Sequence, residues 1–295
     1  MSGRAEGRLR GMAAVVLGLV VVAASGCDSN RPTIPRNPIA RHNARVEGRQ
    51  IVEAACAAHG GYAVWKRRMD ARFLIGDDWR GLLGNALKPW PESGVHGEFK
   101  MLLSHGYGSA TIAGKEAPLT LGLGPEGPWA MVGMRPSQER AELTAAATAL
   151  PYYMLFFQMP FCFLEYGAVH HYVGVRPNPP GGPVHEVLIT FPWYEGERAQ
   201  DWYIARFDTA SMHLRSVTYT ATKWGPSLVE YTDTMSGLTE VDSVFVPTRH
   251  SVSMVRPFRP GVHRWTIQDL QFNNGYTDSV FFGPEGYVRV NPETS

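Results

Sequence analysis

The segment Pro151–Leu164, Pro-Tyr-Tyr-Met-Leu-Phe-Phe-Gln-Met-Pro-Phe-Cys-Phe-Leu, carries no charge, and Gln158 is its only strongly polar side chain. Its apolar residues do not keep to one helical stripe, so a helix here is greasy on every side. Interrupted by Pro160, it falls short of the about 20 apolar residues needed to cross a bilayer. Leaving half a dozen of these side chains in water costs on the order of 10 kcal/mol, at ~1.5–3 kcal/mol each. That matches the net stability of a whole domain. The rest of the chain must cover this segment.

The material for a cover is many short elements. The 295 residues include 31 Gly and 22 Pro, with 44% hydrophobic and 19% charged side chains and a net charge of +1. Charge so near zero gives no reason to expect a nucleic-acid partner. Residues 1–27 read as an export signal: Arg4, Arg8 and Arg10 precede the apolar run Met12–Ala24, then Ser25-Gly26-Cys27. The cysteine after small residues resembles a bacterial lipobox, which implies cleavage before Cys27 and lipid attachment to it. Such a chain is anchored in the bacterial cell envelope and faces the periplasm; the sequence does not choose between inner and outer membrane. Residues 28–45, with Pro32, Pro35 and Pro38, read as a flexible tether, and residues 46–295 as one domain. Export permits a disulfide between Cys56 and Cys162, while their apolar surroundings suit buried free thiols.

Along that domain, Glu47–His59 has helical spacing (Ile51, Val52, Ala55) and stops at Gly60-Gly61. A short second helix with Tyr62, Trp65 and Met69 on one face completes an N-terminal helix hairpin. From Arg72 the period becomes two. Asp77–Gly97 reads as an irregular loop or flap. Ser137 suits an N-cap for a helix that Pro151 ends, with a new helix opening there. The second half reads as strands at Val169–Val175, Val184–Phe191, Trp202–Asp208, Leu214–Thr222, Ser227–Thr232, Val244–Val255 and Arg264–Phe272. Turns separate them, one of them Asp233–Gly237. The expected fold is mainly β (α+β). It is a curved antiparallel half-barrel of about eleven strands, with the N-terminal helix hairpin and a helical plug on its concave face.

Several stretches carry a resemblance in their order along the chain. They are Ala57–Lys66 (Ala-Ala-His-Gly-Gly-Tyr-Ala-Val-Trp-Lys), Pro151–Phe163 with its Met-Pro-Phe centre, Leu188–Phe191, Asp201–Tyr203 and Val244–Pro247. Together they resemble an uncharacterised family of exported bacterial proteins, similar to outer-membrane lipoprotein-sorting proteins of the LolA/LolB type. The resemblance implies a half-open barrel with helices as a lid over an apolar cavity that accepts acyl chains. The lipobox is closer to the anchored member of that pair than to the soluble shuttle. No arginine here matches the one that latches the lid in the carrier.

The cavity reading places Tyr152, Met154, Phe156, Phe157, Met159, Phe161 and Phe163 against the ligand, since Met and Phe conform to varied apolar partners. A filled core satisfies the same pattern. No catalytic or metal motif stands out. The ten histidines are scattered, and His170 and His171, adjacent on a strand, point to opposite faces. His185 and His250 read as hydrogen-bonded core histidines. Asp77-Asp78 reads as solvated acids in a loop. Ser104-His105 and Ser211 with His213 are local coincidences. Gly122–Gly127 fits G-x-G-x-x-G but precedes no helix. Trp193–Glu197 is an aromatic-acidic loop that suits the barrel end. The leading expectation is a non-catalytic, cofactor-free, membrane-anchored protein binding a lipid or the acyl chain of another lipoprotein. The alternatives are an envelope hydrolase assembled from dispersed His, Asp and Glu, and an interaction lipoprotein with a filled core.

Overall fold

The computed structural model describes residues 31–114, 116–165, 167–177, 182–191, 201–220, 229–255 and 260–284. The expected signal segment, Cys27 and the Trp193–Glu197 loop lie outside the described residues. Thirteen strands form one antiparallel sheet in the order β6-β5-β4-β3-β2-β1-β13-β12-β11-β10-β9-β8-β7. They are β1 (Asp70–Trp79), β2 (Gly94–Leu102), β3 (Tyr107–Ile112), β4 (Leu119–Gly124), β5 (Gly127–Val132), β6 (Arg135–Ser137), β7 (Val169–Arg176), β8 (Val184–Thr190), β9 (Trp202–Asp208), β10 (Leu214–Thr220), β11 (Glu230–Val241), β12 (Val244–Met254) and β13 (Gly261–Phe272). The sheet is curved and unclosed, a half-barrel. The count exceeds the expected eleven, and three-residue β6 is too short to read as a strand from its sequence.

The strand order dictates where the greasy segment goes. β6 and β7 are consecutive in the chain but occupy opposite edges of the sheet. Whatever joins them must travel from one edge to the other, and the concave face is the apolar route. The traveller is helix α4 (Arg140–Phe157), followed by the 3-10 turn Phe161–Leu164. Three further α-helices are α1 (Pro38–Ala58), α2 (Tyr62–Trp65) and α3 (Gly81–Leu87).

Several elements depart from the sequence expectation. Helix α1 begins at Pro38, capped by Asn37 Oδ1, which accepts from the Ile39 and Ala40 N–H groups at 2.9 and 3.1 Å. Residues 38–45 are therefore helical, not tether; proline at the first helical position loses no hydrogen bond. Pro151 lies inside α4 instead of breaking it. A mid-helix proline costs about 3 kcal/mol, and the burial of the aromatic turns on its C-terminal side outweighs that. Ser137 ends β6, its Oγ accepting from the Glu139 N–H at 3.2 Å, while Glu139 is the N-cap. Asp77–Trp79 complete β1, and Gly81–Leu87 form α3, so the expected flap is partly ordered. Asp233–Gly237 lie within β11, which runs on to a tight hairpin at Asp242-Ser243 (φ 50° and 64°).

The Ala-His-Gly-Gly stretch locks the end of α1 to the sheet. His59 is fully buried; its Nδ1 lies 2.8 Å from the Phe245 carbonyl, and its Nε2 accepts from the Leu214 N–H at 3.1 Å. The two bonds fix the neutral tautomer with the proton on Nδ1. Burial lowers the His59 pKa to about 4 despite the Phe245 bond, which opposes the shift. Gly60 follows at φ 105°, where a Cβ would meet the Ser243 carbonyl oxygen at 2.0 Å.

Candidate functional site

The lower half of α4 and the turn after it fill the hollow. Tyr152, Met154, Phe156, Phe157, Met159, Phe161 and Phe163 are all buried in the principal core. Phe157 stacks on Phe73 of β1 with ring centres 5.1 Å apart, and Phe73 on Phe99 of β2 at the same spacing. Phe161 stacks face to face on Trp65 of α2 at 4.6 Å, and Phe156 packs against Tyr219 of β10 at 4.8 Å. Strands from both halves of the sheet thus grip one plug. Cys56 and Cys162 are buried and unlinked, with no disulfide between them. Burial first, then nearby Glu53 and Glu165, push both thiols up, away from the reactive thiolate.

Under the plug lies a polar layer that the sequence reading missed. Asp77 is buried on the concave face of β1. Its Oδ2 accepts from Trp79 Nε1 at 2.6 Å, from Trp90 Nε1 at 2.8 Å and from the Tyr153 hydroxyl of α4, while its Oδ1 is 3.0 Å from His263 Nδ1 of β13. Four donors around one carboxylate match its lone-pair capacity. Asp78, the next residue, faces outward to Arg80. The two acids therefore never act together.

A second pair sits two strands away. Asp233 Oδ2 of β11 is 2.8 Å from His250 Nδ1 of β12, and His250 Nε2 faces the Pro247 carbonyl at 3.3 Å. The His250 ring stacks on Trp265 of β13 at 3.7 Å. The expectation that His250 is a bonded core histidine matches this geometry. Asp233 Oδ1 and the Trp265 indole N–H are buried with no hydrogen-bond partner among the described residues. Leaving such groups unmet costs about 1–3 kcal/mol each.

Two tyrosines tie the plug to this layer: Tyr153 donates to Asp77, and Tyr219 of β10 donates to the Tyr152 hydroxyl at 3.0 Å. Burial foremost, with the charges of Asp77 at Tyr153 and Asp233 at Tyr152 and Tyr219 adding to it, raises all three phenols well above their ordinary value. They stay protonated and able to donate. No arginine takes part in these ties. Among the described residues, no three His, Cys, Asp or Glu side chains gather as metal ligands.

Two spaces of very different size open near the site. Between Trp79, Leu87, Tyr219, Val252 and His263 the void is about 10 Å³, room for about one water. At the rim, a groove of about 500 Å³ runs between Ala86–Pro91 and the upper half of α4, where it meets Ala141, Thr144, Ala145 and Thr148. Leu87 lines both, and Trp90 lines the groove while its indole N–H reaches Asp77. Two further histidines are bonded within the fold. His170 Nε2 lies 2.7 Å from the Phe163 carbonyl, and His185 Nδ1 3.1 Å from the Tyr172 hydroxyl.

No protein-family model matches this chain, and no curated protein matches it. Among solved structures it is similar to a domain assigned to outer membrane lipoprotein sorting from Vibrio parahaemolyticus, at 11% identity and a TM-score of 0.47. It is also similar to a DUF1329 family protein from Desulfovibrio piger (10%, 0.46) and a LolA superfamily protein from Nitrosomonas europaea (10%, 0.42). Each similarity covers 80% of this chain and 97% of the other.

Proposed function

We propose that this protein is a lipoprotein of the bacterial cell envelope, held to the membrane through Cys27 and facing the periplasm. Its half-barrel binds an apolar ligand without catalysis and without a cofactor. The ligand is a lipid or the acyl chain of another lipoprotein. One observation carries the reading: an uncharged, largely apolar plug crosses the hollow from edge to edge, and beside it opens a rim groove of about 500 Å³, within the usual range for ligand sites.

An acyl chain enters along the groove past Trp90 and takes the place of the plug's aromatic side chains, so that one apolar surface replaces another. The exchange needs only relative affinity. The unmet Asp233 Oδ1 and Trp265 N–H would receive the polar end of such a ligand. A second reading, an interaction protein with a permanently filled core, is favoured by the burial of Tyr152, Met154, Phe156, Phe157, Met159, Phe161 and Phe163 in the core. The hydrolase reading finds little support, since both Asp–His pairs are sealed and His250 Nε2 faces a backbone carbonyl instead of a nucleophile.

The test is saturable uptake of a fluorescent fatty acid by delipidated protein, with Ala145→Trp, which fills the groove, weakening it about tenfold. Absence of uptake by the delipidated protein overturns the carrier reading in favour of the filled core.

A further inference from the structure

The chain between the expected lipid anchor and the domain is shorter than its proline content suggests. Ile34 packs on Leu188, Trp202 and Ile204, an apolar cluster on the convex face of β8 and β9. From Cys27 to Ile34 there are seven peptide steps, which span at most about 25 Å when fully extended. From Asn37 the chain turns into α1, whose lower half packs on β7. A Cβ on Gly48 would stand 2.9 Å from the Tyr172 nitrogen. Arg41 Nε holds the Pro35 carbonyl at 3.0 Å, fixing the turn.

Residues 31–46 contain Arg31, Arg36, Arg41 and Arg45 and no acid, and all four arginines are exposed. The balance elsewhere is opposite. The chain has 28 Lys and Arg and 27 Asp and Glu; three Arg and one Glu fall within residues 1–27. Outside residues 31–46 the mature chain therefore carries 21 basic and 26 acidic side chains. Beside Arg45 and His42 on α1 stand Ile39 and Val46, 72% and 44% exposed; Arg49, one turn on, is paired with Glu53 at 2.8 Å, and Glu47 lies on the other side of the helix. His171 of β7 is buried beneath this basic segment, and its Nδ1 has no hydrogen-bond partner among the described residues. Burial and then the charges of Arg45, Arg41, His170 and Arg31 lower its pKa.

We infer that the upper half of α1 and the turn before it form a docking surface for the anionic phospholipid headgroups of the membrane that holds Cys27. The arginines meet phosphates, Ile39 and Val46 enter the interface, and the short link fixes which side of the half-barrel faces the bilayer. Clusters of four or more basic residues next to an anchor recognise anionic lipid in this way, each contributing on the order of fivefold in affinity. The inference rests on the proposed anchoring at Cys27.

The test uses the full lipidated protein in vesicles of phosphatidylcholine alone or of phosphatidylcholine with phosphatidylglycerol, followed by amide hydrogen exchange of residues 38–47. Anionic vesicles should slow exchange there at least tenfold relative to neutral ones. The effect should vanish at 1 M salt, where screening extends only about 3 Å. It should also weaken at least fivefold in the double variant Arg36→Gln, Arg45→Gln, which leaves Arg41 and its turn intact. Equal exchange on both vesicle types overturns the inference, as does equal protection by inorganic phosphate without vesicles. The mass of the N-terminal peptide reports lipidation separately. Should Cys27 carry no lipid, anchoring fails on its own, and salt-sensitive binding of the unanchored protein to anionic but not neutral vesicles still decides the docking surface.

Discussion

The two halves of α4 lie on one helix and one sheet, yet they meet their surroundings differently. From Tyr152 to Phe157 the side chains are large, reach β1, β2 and β10, and are buried apart from Leu155. From Ala141 to Thr148 most are small, and the groove of about 500 Å³ runs alongside. Backbone geometry is the same in both; side-chain volume sets which half is sealed and which borders open space. Hydrogen bonds follow the same division. Tyr152 and Tyr153 are tied to Tyr219 and Asp77, whereas the Thr148 hydroxyl donates one turn back, to the Thr144 carbonyl at 2.8 Å. On the proposed binding function, a ligand meets the groove-side half first and must release the tied half to go deeper.

Substitutions sharpen the contrast. Asp77→Ala strands four buried donors at once and should cost about 3–5 kcal/mol or more in urea unfolding; a cost below about 1 kcal/mol would show that the tie is incidental. Phe157→Ala should cost about 3–5 kcal/mol, because the tightly gripped site cannot collapse. Tyr153→Phe keeps the ring and deletes one bond to Asp77, for about 1–3 kcal/mol, and should also speed fatty-acid uptake by loosening the plug. At the other extreme, Thr144→Ala on the groove side should stay within about 0.5 kcal/mol.

A pH titration supplies a reference outside the layer of Asp77 and Asp233. His59 has a folded pKa of about 4 against 6.5 when free. Its contribution is full above pH 6.5 and is lost as the pH falls towards 4, where the unfolded chain has bound a proton that the folded one has not. Over that window stability should drop by about 3 kcal/mol from this residue, with His170, also lowered by burial, acting in the same direction. His59→Gln, which retains a donor and an acceptor, should flatten the slope in urea titrations at pH 4 to 7. An unchanged slope would remove His59 as its source.

The same contrast shows what was legible in the sequence. The plug announced itself because no charge interrupts it, and the strands because their apolar residues alternate. The polar layer did not. Asp77 and Asp233 read as loop and turn residues, since aspartate is depleted in strands and common in turns; here each bonds a histidine inside the sheet. His250 is 17 residues from Asp233, but His263 lies 186 residues from Asp77, so only the register of β1 against β13 brings that pair together. Alternation held one usable sign: Asp77 continues the buried series Phe73, Ile75, Trp79 on β1, and such a position in a strand signals a buried acid. Pro151 misled for the opposite reason, because local propensity favours a break where tertiary burial sustains a helix.

The central claim is that the plug yields to an acyl chain. Amide hydrogen exchange of residues 150–164 in the delipidated protein, with and without a saturating fatty acid, tests it most directly. The account predicts bound fatty acid together with faster exchange across Tyr152–Phe157, as the lower half of α4 leaves the hollow. Fatty acid bound with exchange there unchanged, or no binding at all, would contradict it.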